Sequence, residues 1–254
     1  MGIIVAIGGG ELSLHETYAI DTEIVKLTGK EKPIALFIPT ASGDAPGYCD
    51  TFQQIYGDEL NCDVDFLLLI DNNLSREDLT TKISHVDLIY VGGGNTGSML
   101  AIWREHQVDH MLLEAYNNGT VLSGLSAGSI CWFEHGHSDI SIPGSNDNWE
   151  YIKLEALGML KGFHCPHFNE DARPMSFPEM IKGTDDMGIA IENNCAIVFN
   201  ENQYKVIKTA DDANAYKVFY RNNQVVNEAI VQDEHFRDIA ELYAANIALN
   251  DECE

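Results

Sequence analysis

The sequence predicts an α/β fold: a three-layer, doubly wound and mostly parallel sheet with a C-terminal antiparallel extension. Three observations predict it. Short apolar runs recur at residues 3–7, 34–38, 64–70, 86–91 and 121–125. They are nearly continuous rather than alternating, as expected of strands buried on both faces. Between them lie stretches with helical spacing at 17–27, 48–60 and 98–116, and strand–helix alternation of this kind builds βαβ units. After about residue 190 the pattern changes. Short runs at 196–199, 204–207, 217–220 and 224–226 are separated by turns such as Asn200-Glu201-Asn202 and Arg221-Asn222-Asn223. These predict an antiparallel meander on the far edge of the sheet. A last helix is expected from about Asp233 to Leu249. With no linker, repeat or low-complexity segment in view, residues 1–254 read as a single α/β domain.

Charge narrows the choice of partner. The chain carries 40 Asp and Glu against 15 Lys and Arg, a formal charge of −25. Such a surface repels phosphate backbones and anionic lipid heads, so neither nucleic acid nor membrane is an expected partner. There is no signal-peptide pattern and no apolar stretch long enough to span a bilayer, so a cytoplasmic location is expected. The six cysteines are scattered and form no C-x-x-C pair; they read as small buried hydrophobes in a reducing compartment.

The chemistry centres on Gly124-Leu125-Ser126-Ala127-Gly128, which matches the G-x-S-x-G nucleophile elbow. A strand that turns sharply into a helix brings the positions two before and two after the serine almost into contact, so both must lack a side chain. The apolar run before Ser126 and the helix-competent 127–133 after it supply the required context. A second glycine cluster, Gly92-Gly93-Gly94, ends the run at 86–91. In a parallel sheet it falls at the same carboxyl edge, where its N–H groups could join that of Ala127 in an oxyanion hole. The cluster lacks G-x-G-x-x-G spacing and a following Lys-Ser/Thr, which disfavours a phosphate loop; Glu11 disfavours one at Gly8-Gly9-Gly10.

A nucleophilic serine needs a base, usually histidine, and the base needs an orienting group. Of nine histidines, His135 and His137 follow the elbow closely. His164 and His167 lie in Phe163-His164-Cys165-Pro166-His167-Phe168 at the end of an apolar segment. The residues favour this second pair without choosing between its members. The H-x-H and H-x-x-H spacings would also permit a metal cluster, although an elbow serine makes one redundant, and no cofactor is expected.

The motifs Val91-Gly92-Gly93-Gly94-Asn95-Thr96, Gly124–Gly128 and Pro166-His167-Phe168 together resemble the aspartyl dipeptidase (peptidase E) family, a relative of cyanophycinase on the class I glutamine-amidotransferase-like fold. The resemblance covers roughly residues 1–200. It implies Ser126 as nucleophile, His167 as base and Glu192 as third member, with Ala127 and one of Gly93 or Gly94 as oxyanion donors. Serine in place of the amidotransferase cysteine argues against glutaminase chemistry. Family members that cleave after an N-terminal Asp read its carboxylate with arginine. Arg173 lies nearest in sequence to a proposed catalytic residue, although its surroundings match neither the dipeptidase nor the cyanophycinase pattern. Asn95 and Arg173 are therefore the candidate substrate contacts. The expected activity is that of a serine peptidase on small peptides, through an acyl-enzyme. An esterase or amidase on the same site, or a non-catalytic binder, are the alternatives, and a homodimer is left open.

Overall fold

The structure, a computed structural model, describes residues 2–70, 74–141, 149–170, 172–233 and 235–244. In chain order it runs β1 (Ile3–Ile7), α1 (Tyr18–Leu27), β2 (Ile34–Ile38), α2 (Pro46–Phe52), β3 (Asp63–Phe66), α3 (Arg76–Ser84), β4 (Leu88–Val91), α4 (Thr96–His106), α5 (Val108–Asn117), β5 (Val121–Leu125) and α6 (Ala127–Ile130). There follow β6 (Phe133–Ser141), β7 (Trp149–Glu155), β8 (Leu160–Cys165), α7 (Arg173–Ile181), β9 (Gly188–Ile191), β10 (Cys195–Asn200), β11 (Gln203–Lys208), β12 (Ala215–Arg221), β13 (Gln224–Ala229), β14 (Arg237–Asp238) and α8 (Ile239–Tyr243).

The apolar runs form the sheet that their continuity predicts. Among the described residues, one sheet has the order β14-β11-β10-β1-β5-β4-β2-β3, and the five strands from β1 to β3 are parallel. Successive side chains on a strand face opposite ways, and both faces are covered. Val5, Ile7, Phe37 and Tyr90 pack with Ile20 and Ile24 of α1 and Phe52 of α2. Ile4, Ala6, Ile38, Ile89 and Val91 pack with Leu79, Trp103 and Leu112 of α3, α4 and α5. This is the α/β, three-layer arrangement.

The second half departs from the expected meander. Of the four runs expected in the meander, only β10 and β11 extend the first sheet, β10 running antiparallel to β1 and β14 completing the edge beyond β11. The strands β12 and β13 join a second sheet of order β13-β12-β9-β8-β6-β7. The sequence hid this sheet because β6 reads Phe-Glu-His-Gly-His-Ser-Asp-Ile-Ser, in which polar side chains interrupt any apolar run. One cluster nonetheless includes Ile189, Ile191 and Ala215 of the second sheet with Ile4 and Ala6 of the first.

Two helices also differ. The stretch 98–116 is broken at Gln107, whose left-handed backbone (φ 59°) lets its N–H cap the carbonyls of Trp103 and Arg104. The final helix is confined to Ile239–Tyr243 among the described residues, preceded by β14; residues 234 and 245–249 of the expected helix lie outside them. No helix of the described residues is long and apolar enough to cross a membrane.

Candidate active site

Because β5 lies between β1 and β4, the turns that follow these three parallel strands sit side by side at one edge. Ser126 tops β5 with φ 56° and ψ −112°, a backbone that a residue with a side chain adopts at a cost of about 1–3 kcal/mol. The flanking glycines make the turn feasible. A Cβ on Gly124 would stand 2.1 Å from the Gly128 carbonyl oxygen, and one on Gly128 would stand 2.1 Å from that of Val91. The strand before the serine, the helix after it and the neighbouring β4 are thus in backbone contact. The Ser126 N–H donates to Ile7 O at 3.1 Å, tying the turn to β1.

His167 arrives at the same place from the second sheet. It follows β8, and its N–H donates to Gly8 O at 3.0 Å, the carbonyl next to the one that holds Ser126. Its Nδ1 lies 2.7 Å from Asn193 Oδ1. The amide nitrogen of Asn193 donates in turn to Glu170 Oε1 through a short hydrogen bond. A carboxylate only accepts, so Asn193 must turn its NH₂ to Glu170 and its oxygen to His167. That leaves the proton on Nδ1 and the lone pair on Nε2, the form a general base requires. Burial holds His167 below the ordinary imidazole range, while the Asn193 hydrogen bond and the Glu170 carboxylate pull it back up. Gly9 makes the approach possible: a Cβ there would lie 2.0 Å from Asn193 Oδ1 and 2.3 Å from His167 Nδ1.

Glu192 is not the group that meets His167. Its carboxylate accepts from Asn214 N at 2.7 Å and from the Tyr216 hydroxyl at 3.2 Å. The reason is parity: Glu192 and Asn193 follow one another off the end of β9, and neighbours on extended chain point opposite ways. Arg173 is also placed differently from expectation. Its side chain is 9% exposed, and it donates to Asp139 Oδ1 at 3.0 Å and to His137 O at 2.9 Å, with its guanidinium 4.9 Å from the Tyr151 ring centre. A guanidinium so engaged is not free to fork onto a substrate carboxylate.

Two other histidines weighed from the sequence, His164 and His137, are structural. His164 is fully buried; its Nδ1 lies 2.8 Å from Ile189 O and its Nε2 2.8 Å from Ser129 Oγ. His137, also fully buried, faces Ser176 Oγ at 3.1 Å and Arg173. Burial lowers each to about 3, so both are neutral at ordinary pH. Among the described residues no three His, Cys, Asp or Glu side chains converge where a metal ion could be held.

The glycine loop after β4 lies against the elbow, since a Cβ on Gly93 would be 3.5 Å from Ser126 Cβ. The Gly93 N–H points to the Tyr48 hydroxyl at 3.4 Å, a weak contact. Gly94 has φ 138° and passes so near Ala41 O that a Cβ would sit 2.1 Å from it. Asn95 is the N-cap of α4, its Oδ1 accepting from Ser98 N at 2.8 Å. Ala127 is the first residue of α6, where an N–H has no acceptor within its own helix. Asn193, Gly9 and Tyr48 escaped the reading of the sequence. The only hint of the first two was a glycine run with no phosphate chemistry to explain it.

The chain matches peptidase family S51 over residues 4–207. It is 34% identical over 226 residues to the uncharacterized peptidase YgaJ of Bacillus subtilis (strain 168), covering 87% of this chain and 94% of that one. The fold is shared with a peptidase from an acI-B1 Actinobacterium, with TM-score 0.68, 21% identity and coverage of 94% of this chain and 97% of that one. It is shared as well with a peptidase E candidate from Listeria monocytogenes EGD-e, with TM-score 0.63, 20% identity and coverage of 83% and 100%. A serine elbow held between two glycine loops, a histidine registered beside it and a match across most of the chain lead to one assignment: this protein belongs to peptidase family S51.

Proposed function

We propose that the protein is a serine peptidase of short peptides. Ser126 Oγ attacks the scissile carbonyl as His167 Nε2 takes its proton, and the same proton passes to the leaving amine as the C–N bond breaks. Water, deprotonated by His167, then releases the acyl group and restores Ser126. The Asn193 oxygen holds the imidazole by its Nδ1–H throughout, replacing Glu192 in that role. The Ala127 N–H and the Gly93–Gly94 loop face the oxygen that becomes negative. The observation that carries this reading is the registration of Ser126 and His167 on the consecutive carbonyls of Ile7 and Gly8.

The substrate expectation changes with Arg173. The turns around the site, residues 8–17, 39–48, 92–96, 126–129, 166–170 and 192–194, hold no Lys or Arg, and they hold Glu11, Glu16, Asp44, Glu170 and Glu192. A carboxylate on the N-terminal residue of the substrate would enter a field of its own sign with no cation in these turns to offset it. Short peptides with a neutral N-terminal residue are therefore the proposed substrates, ahead of N-terminal Asp. The test is hydrolysis of a dipeptide panel with N-terminal Asp, Glu, Leu and Arg, together with fluorophosphonate labelling. Labelling of wild type but not of Ser126→Ala is expected. Absence of label, or a wild type that prefers Asp, would overturn the respective half of the proposal.

A further inference from the structure

We infer that Glu170 is a positioning residue for the base: it fixes the orientation of the Asn193 amide and, through it, the tautomer of His167. The inference rests on the proposed role of His167, but its first test does not. Three contacts carry it. Glu170 Oε1 accepts from Asn193 Nδ2, Glu170 Oε2 stands 3.6 Å from His167 Nδ1, and the Glu170 N–H donates to His167 O at 2.9 Å, closing the turn that sets their spacing. The loop is held from the far side as well, because Asn169 Oδ1 accepts from Asn193 N at 3.0 Å.

Asn193 alone could not choose. A carboxamide presents an oxygen or an NH₂ to its neighbour with little difference in shape, and the two choices have opposite consequences. With the oxygen toward His167, Nδ1 carries the proton and Nε2 is free to act as base. With the NH₂ toward it, Nδ1 must accept and Nε2 carries the proton, which disables it. A carboxylate behind the amide removes the second choice, since Glu170 cannot donate. It also places a negative charge near the ring where the imidazolium develops. The charged groups acting on His167 are that carboxylate, Arg173 at the start of α7 and Asp139 on β6. Glu170 and Asp139 favour the protonated ring, and Arg173 opposes it; His164 on β8, neutral at ordinary pH, adds no charge.

The first test is nitrogen NMR of the histidine side chains in the full chain, with His167 assigned by His167→Gln. Wild type should show the Nδ1–H tautomer for neutral His167. Glu170→Gln, which removes the charge but can still accept through its oxygen, should keep that tautomer and lower the midpoint of His167 by about half to one pH unit. Glu170→Met, which can neither accept well nor carry charge, should give a mixture of tautomers. Since the Glu170 side chain is 48% exposed, neither change threatens the fold. The second test is kinetic. The acid limb of kcat/KM should move down with the midpoint in Glu170→Gln, and kcat should fall about tenfold. Asn193→Asp, which puts a carboxylate directly on Nδ1, should make kcat indifferent to Glu170→Gln. An Nδ1–H tautomer and midpoint untouched by either Glu170 change would overturn the inference whether or not the protein cleaves peptides. A wild type without peptidase activity but with the expected NMR shifts would instead overturn only the proposed function.

Discussion

Two serine–histidine combinations lie three residues apart at both ends, the proposed catalytic Ser126 with His167, and Ser129 with His164, whose hydroxyl and imidazole meet at 2.8 Å. Their surroundings separate them. His164 and Ser129 are fully buried and satisfy one another, and the remaining imidazole nitrogen rests on a main-chain carbonyl of β9. His167 keeps 20% of its side chain exposed, and its inner nitrogen is held by Asn193. Ser126 sits in strained backbone at the sheet edge, whereas Ser129 lies inside the helix that follows. A hydroxyl beside an imidazole is therefore not enough. What marks out the proposed reactive pair is an outer nitrogen with no bonded partner among the described residues, access to solvent and a serine held off the helix.

The sharpest way to break this comparison is to remove each serine in turn. Ser126→Ala should lower kcat by about 10⁴-fold or more with the fold intact. Ser129→Ala should leave activity within about tenfold but strand the buried His164 nitrogen, lowering stability by about 1–3 kcal/mol in chemical denaturation. If the Ser129 variant were the inactive one, the roles of the pairs would be reversed. Next in size is the orienting group. Asn193→Ala should lower kcat by about 100-fold, while Glu192→Gln should change it by less than about threefold; steady-state kinetics on one peptide settles the order.

How much of this the sequence disclosed depends on what enforces each feature. The elbow was legible because sterics enforce it: Gly124 and Gly128 have no alternative, and a pattern search sees them. The parallel strands were legible because both of their faces are buried. The second sheet was not, since a short run such as 217–220 fits a strand in either sheet and only its partner decides. The choice between Glu192 and Asn193 was beyond reach for a related reason. At a strand end a carboxylate is the more suggestive letter, yet one step along extended chain turns it to the opposite side. Arg173 misled because nearness in sequence to His167 says nothing of the direction in which a helix start points its side chain.

The buried histidines also make the protein sensitive to acid. His137 and His164 ionise at about 3 in the fold against about 6.5 in the unfolded chain. Their folded values are depressed, so the stability they contribute is complete above the unfolded value and is lost as pH falls from about 6.5 toward 3. Each should cost about 1.4 kcal/mol per pH unit within that window. Chemical denaturation at pH 7, 5 and 4 should show the decline, and His164→Gln should reduce its slope. His167 is lowered in the same direction, so peptidase activity should persist somewhat below pH 6.5 before its acid limb begins. The smallest effect is expected for Arg173→Lys. The ratio of kcat/KM for Asp and Leu dipeptides should stay unchanged while Tm falls, because Asp139 and the His137 carbonyl lose a planar partner. A changed ratio would return Arg173 to the substrate.

The hold of one stretch of chain on both halves of the candidate site has a consequence for endurance. Ser126 and His167 follow strands of different sheets, yet Ser126 hangs by a main-chain hydrogen bond from Ile7 at the end of β1 and His167 from Gly8, the next residue, and Ile4, Val5, Ala6 and Ile7 are all fully buried between β5 and β10. Interior strands of this kind are the last segments to exchange their amide protons, since they open only with the whole molecule. The spacing of the proposed nucleophile and base is thereby measured off along one stretch of main chain and does not depend on the two sheets keeping a fixed angle. Breathing at the rim should leave that spacing alone, and in a denaturant titration catalysis should fade together with the sheet and not ahead of it.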